Sequence, residues 1–248
     1  MAYKRPVLTE IFASATLSEG RMGPSELFAF VPKLGELGFR DLEMSGSPPL
    51  SGTLSETGVK LVSDTSFRVR CWTEDRRRLV QITPDRLIVN NVVTEGTDYP
   101  GWLSFRKDFE LALATYEDHV GQLGVEVLEL GTIDEISQPA ETFRLGSILN
   151  CGGQRIPGWY ADCKIACDMS LGMGFLKVDR TNDHYKVRVR PASGDQMLTR
   201  IESHFVLALE AGADSRIHLD DLHAKSNRHF EELITDYTRE EVMGGTSV

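Results

Sequence analysis

The sequence predicts an α+β protein built from two antiparallel β-meanders, each followed by a long helix, with an additional strand and helix at the N-terminus. Two observations carry this. Between Phe67 and Val120, three strand-like stretches, Phe67-Arg-Val-Arg-Cys-Trp72, Leu79-Val-Gln-Ile82 and Leu87-Ile-Val-Asn90, precede a run in which Trp102, Phe105, Phe109, Leu113, Tyr116 and Val120 are spaced 3, 4, 4, 3 and 4. Apolar residues at that spacing form one stripe of a helix, which must lie on the sheet. The second half repeats the plan. Ala161 to Leu171, Phe175 to Arg180, Tyr185 to Arg190 and Met197 to Glu210 have strand character, and Leu219, Leu222, Ser226, Phe230, Leu233 and Tyr237 form the stripe of a final helix. The halves divide into an N-terminal α+β subdomain, 1–136, and a C-terminal one, 137–248, although 248 residues also suffice for one continuous domain.

Taken in order, Val7 to Leu17 alternates loosely with Ile, Phe and Thr, which suits a strand near an edge, and Gly20 to Pro24 then turns the chain. A helix starts at Pro24-Ser-Glu26, with Leu27, Phe28, Val31, Leu34 and Leu37 as its buried stripe and Gly35 and Gly38 weakening its end. Ser45 to Gly58 offers almost nothing to bury and reads as an exposed loop. Glu74-Asp-Arg76 closes the first hairpin, and Thr83-Pro-Asp-Arg86 places Pro where a type I turn wants its φ. Val125 to Ile136 reads as a strand and Glu141 to Leu149 as a short helix ending near Asn150-Cys-Gly-Gly153. The later turns are Gly172-Met-Gly174, Asn182-Asp183 and Ala192-Ser-Gly194, and Gly244-Gly-Thr-Ser-Val248 is a frayed tail.

Composition narrows the function classes. A chain that is 41% hydrophobic and 26% charged has the makings of a full core, and a net charge of -10 argues against non-specific binding to nucleic acid or to an anionic membrane. No apolar run approaches the roughly 20 residues of a membrane-spanning helix, and the first residues carry no apolar leader segment, so a cytoplasmic location is expected. Four cysteines are too few for a disulfide framework and are expected to be free, buried thiols.

Several stretches, in their order and spacing, resemble a sporadically distributed bacterial protein family of about this length with no established function. They are Pro6-Val-Leu-Thr-Glu10; the Trp72 strand with Leu79-Val-Gln-Ile82 and Leu87-Ile-Val-Asn90; Tyr99-Pro-Gly-Trp102 with Phe105 and Phe109; and Leu222-His223 with Phe230, Ile234, Thr235 and Asp236. Where that family has an Arg-rich strand ending in Asn, this chain has Val127-Leu-Glu-Leu-Gly-Thr-Ile-Asp134. The resemblance implies no catalytic residues. Its patchy distribution implies the mobile setting of antitoxin, immunity or phage-defence components.

Three constellations carry candidate chemistry. His218, Asp220, Asp221, His223 and His229 cluster around the last helix, but their spacing matches no metal-ligand signature, and Asp220 and Asp221 read as residues of the helix start. Cys163 and Cys167 share a strand face that Cys151 or His184 could extend toward a zinc site, yet zinc knuckles hold their cysteines on a tight turn, so buried thiols are the reading kept. Arg68-Val-Arg70 and Lys186-Val-Arg-Val-Arg190 alternate so that each strand's cations share one face, with Arg76, Arg77 and Arg78 in a nearby turn. The ligand-binding candidates are therefore Arg68, Arg70, Arg188, Arg190 and His223, with no metal and no cofactor expected. The expected function is a non-enzymatic protein-interaction component that holds a protein partner, or a second copy of itself, through its sheet edges and last helix. The alternative is a ligand-binding or hydrolytic protein with an anionic-ligand site between the two sheets.

Overall fold

The computed structural model describes residues 7–17, 23–45, 51–55, 58–62, 68–94, 97–121, 124–150, 164–168, 174–180, 183–210 and 213–244. Its strands are β1 Leu8–Leu17, β2 Asp41–Ser45, β3 Ser51–Ser55, β4 Gly58–Val62, β5 Arg68–Trp72, β6 Arg78–Thr83, β7 Arg86–Val92, β8 Val125–Pro139, β9 Lys164–Asp168, β10 Gly174–Arg180, β11 Asp183–Ala192 and β12 Gln196–Ala208. The helices are α1 Pro24–Glu36, α2 Trp102–Val120, α3 Leu145–Ile148 and α4 Ser215–Leu233, with a π-helical turn at Thr238–Val242. Mixed helices and antiparallel sheet give the α+β class. Two compact units result: an α2 unit of Phe12–Glu129 and Leu207–Arg216, and an α4 unit of Met1–Ile11, Leu130–Val206 and Ile217–Val248.

In the α2 unit the strand order is β2-β5-β6-β7-β1, with the start of β8 beyond β1. The turn before β6 is built by Thr73 and Asp75. The Thr73 hydroxyl donates to Asp75 (2.6 Å), whose carboxylate also accepts the Arg77 amide (3.1 Å), while Arg76 takes a positive φ of 56°. Those hydrogen bonds hold the Asp75 carboxyl below its usual range, the Thr73 bond being the largest cause. At the next turn the Thr83 hydroxyl donates to Asp85 (3.0 Å).

Alternation divides the residues of this meander between two faces. Val69, Cys71, Val80, Ile82, Leu87 and Val89 are buried on one, which α1 and α2 cover. From α2, Phe105, Phe109, Ala112, Leu113 and Tyr116 are buried, but Trp102 and Val120, at the two ends of the expected stripe, are only half-buried, because the helix begins and ends there. From α1 the buried residues are Leu27, Phe30 and Leu34. Phe28, placed in the core by the sequence reading, is 42% exposed. The 3, 4 spacing selects Phe30, whose ring meets Tyr116 edge-on at 5.4 Å. Gly23 caps α1 by donating its amide to Glu26 (2.8 Å), and Pro24 opens the first turn.

Two further expectations for this unit are corrected. β1 does not lie at an edge: it runs between β7 and β8, and consecutive burial of Ala13, Ser14 and Ala15 shows that both its faces are covered. The stretch 45–58 is not all loop, since β3 and β4 pair as a separate antiparallel hairpin. Residues 46–50 and 56–57 of that stretch lie outside the described residues, as does Phe67.

In the α4 unit the order is β8-β12-β11-β10-β9, and the printed registers from β9 to β12 are antiparallel. The β11–β12 turn uses positive φ at Gly194 (70°) and Asp195 (55°), a conformation open to Gly and tolerated by Asp. α4 lies against this sheet through the Phe205–His229 ring contact at 5.5 Å and a Lys225–Asp183 ion pair at 2.7 Å. His229, not Phe230, continues the buried line of Leu219, Leu222, Ser226 and Leu233, and Tyr237 lies beyond the helix end, half-exposed. α4 starts at Ser215, a turn earlier than expected. Asp214 accepts the Arg216 amide there (2.9 Å), so Asp220 and Asp221 lie inside the helix and do not cap it. Only Leu145–Ile148 of the expected 141–149 helix forms, because Asn150 and the segment after α4 clamp it. The Asn150 amide donates to the Glu232 and Ile234 carbonyls (3.0 and 2.8 Å), and the Thr238 hydroxyl to Ile148 (2.8 Å). The Gly172-Met173 and Asn182 turn positions and the tail 245–248 lie outside the described residues.

Candidate functional site

The face of the β5–β7 meander turned away from α1 and α2 carries a cluster of cationic and amide side chains. By alternation and register, Arg68 and Arg70 on β5, Gln81 and Thr83 on β6, and Arg86, Ile88 and Asn90 on β7 share it. Gln81 is buried in the middle. Its side-chain oxygen accepts hydrogen bonds from both Arg68 (3.1 Å) and Arg70 (3.3 Å), and its amide donates to Asn90 Oδ1 (2.7 Å). An amide donating on one side and accepting twice on the other has a single workable orientation, so Gln81 holds the two guanidiniums together.

The electrostatics follow from that geometry. Partial burial, and then the neighbouring Arg70 and Arg86 guanidiniums, push the Arg68 pKa below its ordinary value. Arg86 has an acidic neighbour, Glu129 at 3.4 Å, which also accepts the Ser14 hydroxyl (3.1 Å). Among the described residues, no carboxylate lies within ion-pairing distance of Arg68 or Arg70. Glu43 across on β2 is engaged by Arg76 (2.5 Å) and by the Trp72 indole (3.0 Å), contacts that hold its carboxyl below the usual range. Beside Arg86, the Leu17 amide donates to the Asp85 backbone carbonyl (3.0 Å), which brings Thr16 alongside. The buried Thr16 Oγ1 has no partner among the described residues.

The structure distributes the other candidates differently. Arg188 and Arg190 are exposed on β11, with Arg188 directly across from Arg200 on β12. Arg200 is taken by Glu135 (3.0 Å) and Glu202 (2.9 Å), and those two bonds raise its pKa against the opposing cost of burial. His223 sits half-buried on α4, its Nε2 3.1 Å from the Asn227 amide, and burial lowers its pKa against the opposite pull of Asp220. Arg68 and Arg70 belong to the α2 unit, whereas Arg188, Arg190 and His223 belong to the α4 unit.

The turn arginines have structural partners. Arg76 meets Asp41 (2.6 Å), Arg77 donates to the Asp98 carbonyl, and Arg78 holds Asp108 of α2 (3.1 Å) while stacking over Phe39. His218 lies 3.9 Å from Asp221, and the described residues contain no group of three or more potential metal ligands. Cys71 is buried, and desolvation lifts its thiol pKa to about 11; the thiols of Cys151, Cys163 and Cys167 lie outside the described residues. No helix among the described residues is long and apolar enough to cross a membrane.

Sequence reasoning missed Gln81, Arg86 and Asn90. One signal was available: Gln81 interrupts the apolar run Leu79-Val-Gln-Ile82, and a polar residue at a buried strand position needs partners. Compared with protein-family models and with curated proteins, the chain matches none of them.

Proposed function

We propose that the chain is a non-enzymatic binding protein and that the arginine face of the β5–β7 meander receives an anionic group. The observation that supports this is the buried Gln81, which fixes Arg68 and Arg70 side by side with no carboxylate among the described residues between them. Two like charges held close cost free energy in the empty state, and an anion bridging them recovers it through charge-assisted hydrogen bonds. Calorimetric titration with inorganic phosphate near pH 8 tests the reading. Binding is expected, and Arg68→Gln or Gln81→Leu should each weaken it by about tenfold or more, the loss of one charge-assisted contact. Arg228→Gln, on the exposed side of α4, should leave it unchanged. Equal affinity in all the variants would remove the site.

A second reading, a protein partner or second copy added at a sheet edge, has its own observation. β2 ends the strand order in the α2 unit and exposes Leu42 (41%) and Met44 (58%). An edge strand with exposed apolar side chains invites pairing with another strand. Light scattering should then show self-association that Met44→Lys abolishes, and a monomeric wild type would sink the self-paired form of this reading. The antitoxin, immunity or phage-defence setting of such a partner rests on the motif resemblance.

A further inference from the structure

We infer that the group received at Arg68 and Arg70 is a terminal phosphate, a phosphate monoester dianion, in preference to the singly charged phosphodiester of a nucleic-acid backbone. The inference rests on the anion-binding reading above and deepens it.

Charge balance supplies the first argument. Among the described residues three guanidiniums stand on this face, and of these only Arg86 has an acidic neighbour, Glu129, within ion-pairing distance. Glu43, the acid across the strand pair from Arg70, is already taken by Arg76 and Trp72. Two positive charges, Arg68 and Arg70, therefore remain for the occupant. A monoanion neutralises one and leaves the other uncompensated. A dianion neutralises both.

Donor geometry supplies the second. Both guanidiniums spend one N–H on the same Gln81 oxygen, Arg68 through Nη1 and Arg70 through Nε. Each guanidinium keeps further N–H groups, arranged as a planar fork that fits the oxygens of a phosphoryl group. A monoester offers three terminal oxygens to such a pair of forks, while a diester offers two. The protein's net charge of -10 acts in the same direction, since it repels a long polyanion while a short-range site still captures a small dianion.

The test compares methyl phosphate with dimethyl phosphate by calorimetry at pH 8, then repeats methyl phosphate at pH 5, where it has become mostly a monoanion. At pH 8 the monoester should bind at least about tenfold tighter than the diester, and that advantage should shrink toward unity at pH 5. Arg68→Gln, checked for folding by circular dichroism, should bring the two ligands to similar affinity at pH 8. Equal binding of the two esters by wild type at pH 8 overturns the dianion inference and leaves the anion site standing. Binding of neither ester, or of both with full strength in Arg68→Gln, overturns the anion site itself.

Discussion

Phe109→Ala is expected to lower the unfolding free energy by about 3–5 kcal/mol, the range for deleting a fully buried aromatic side chain. Phe109 is 0% exposed, midway along α2, with Phe105, Ala112 and Leu113 buried around it and α2 lying on β7. Two barriers keep the resulting hole from closing. The sheet beneath is held by paired strands, and Arg78 fastens α2 to β6 at Asp108, one residue from the deletion. A rigid wall on one side and an anchored helix on the other favour the upper part of the range, because the cost grows with the volume that cannot collapse. Trp102→Ala, the larger truncation, should cost less, since the Trp102 side chain is half-buried at the first residue of the helix. Urea unfolding of the two variants beside wild type checks the order, and a Phe109→Ala loss below about 1 kcal/mol would show that α2 does not lie on the sheet as described.

What the sequence disclosed and what it hid follow from the range of the interactions involved. Local signals located β5, β6, β7 and α2, because hairpin turns such as Thr83-Pro-Asp-Arg86 and a 3, 4 apolar spacing are set by neighbours in the chain. Lateral position was not available in the same way. β1 looked like an edge strand because Val7 to Leu17 alternates only loosely, whereas the small Ala13, Ser14 and Ala15 within it are what a strand covered on both faces requires. Phe28 and Phe30 are two apart on one helix, so a stripe drawn from a single phase error selects the wrong one.

The candidate site was half visible. Alternation put Arg68 and Arg70 on one face, yet Arg86 and Asn90 join them only through strand registers that no short window specifies. The last helix shows the same limit. A line drawn through Phe230 passed over His229, whose burial depends on Phe205 in a strand more than twenty residues earlier.

Asp134 should make the protein less stable as pH rises from about 4 to about 7, and Asp134→Asn should abolish that slope. Asp134 is 6% exposed on β8, and by alternation it lies on the opposite face from Glu135, the residue paired with Arg200. It shares its face with Ile136 and Gln138, both buried. Its hydrogen bond from the Thr132 hydroxyl is long, 3.4 Å. Burial raises the pKa from 3.8 to about 7, and the Thr132 contact opposes the rise. A folded-state value above the unfolded one means that the folded protein holds its proton over a range where the unfolded chain has released it. Stability associated with the protonated form is therefore complete below about pH 4 and is lost progressively as pH rises through about 7. A shift of roughly three units corresponds to about 4 kcal/mol between those limits. Asn keeps the shape and cannot ionise, so the variant should match wild type near pH 3 to within about 1 kcal/mol and exceed it by as much as about 4 kcal/mol at pH 8.5. Urea unfolding at both pH values decides the matter, and parallel pH profiles for the two proteins would mean that Asp134 is charged and solvated in the folded state.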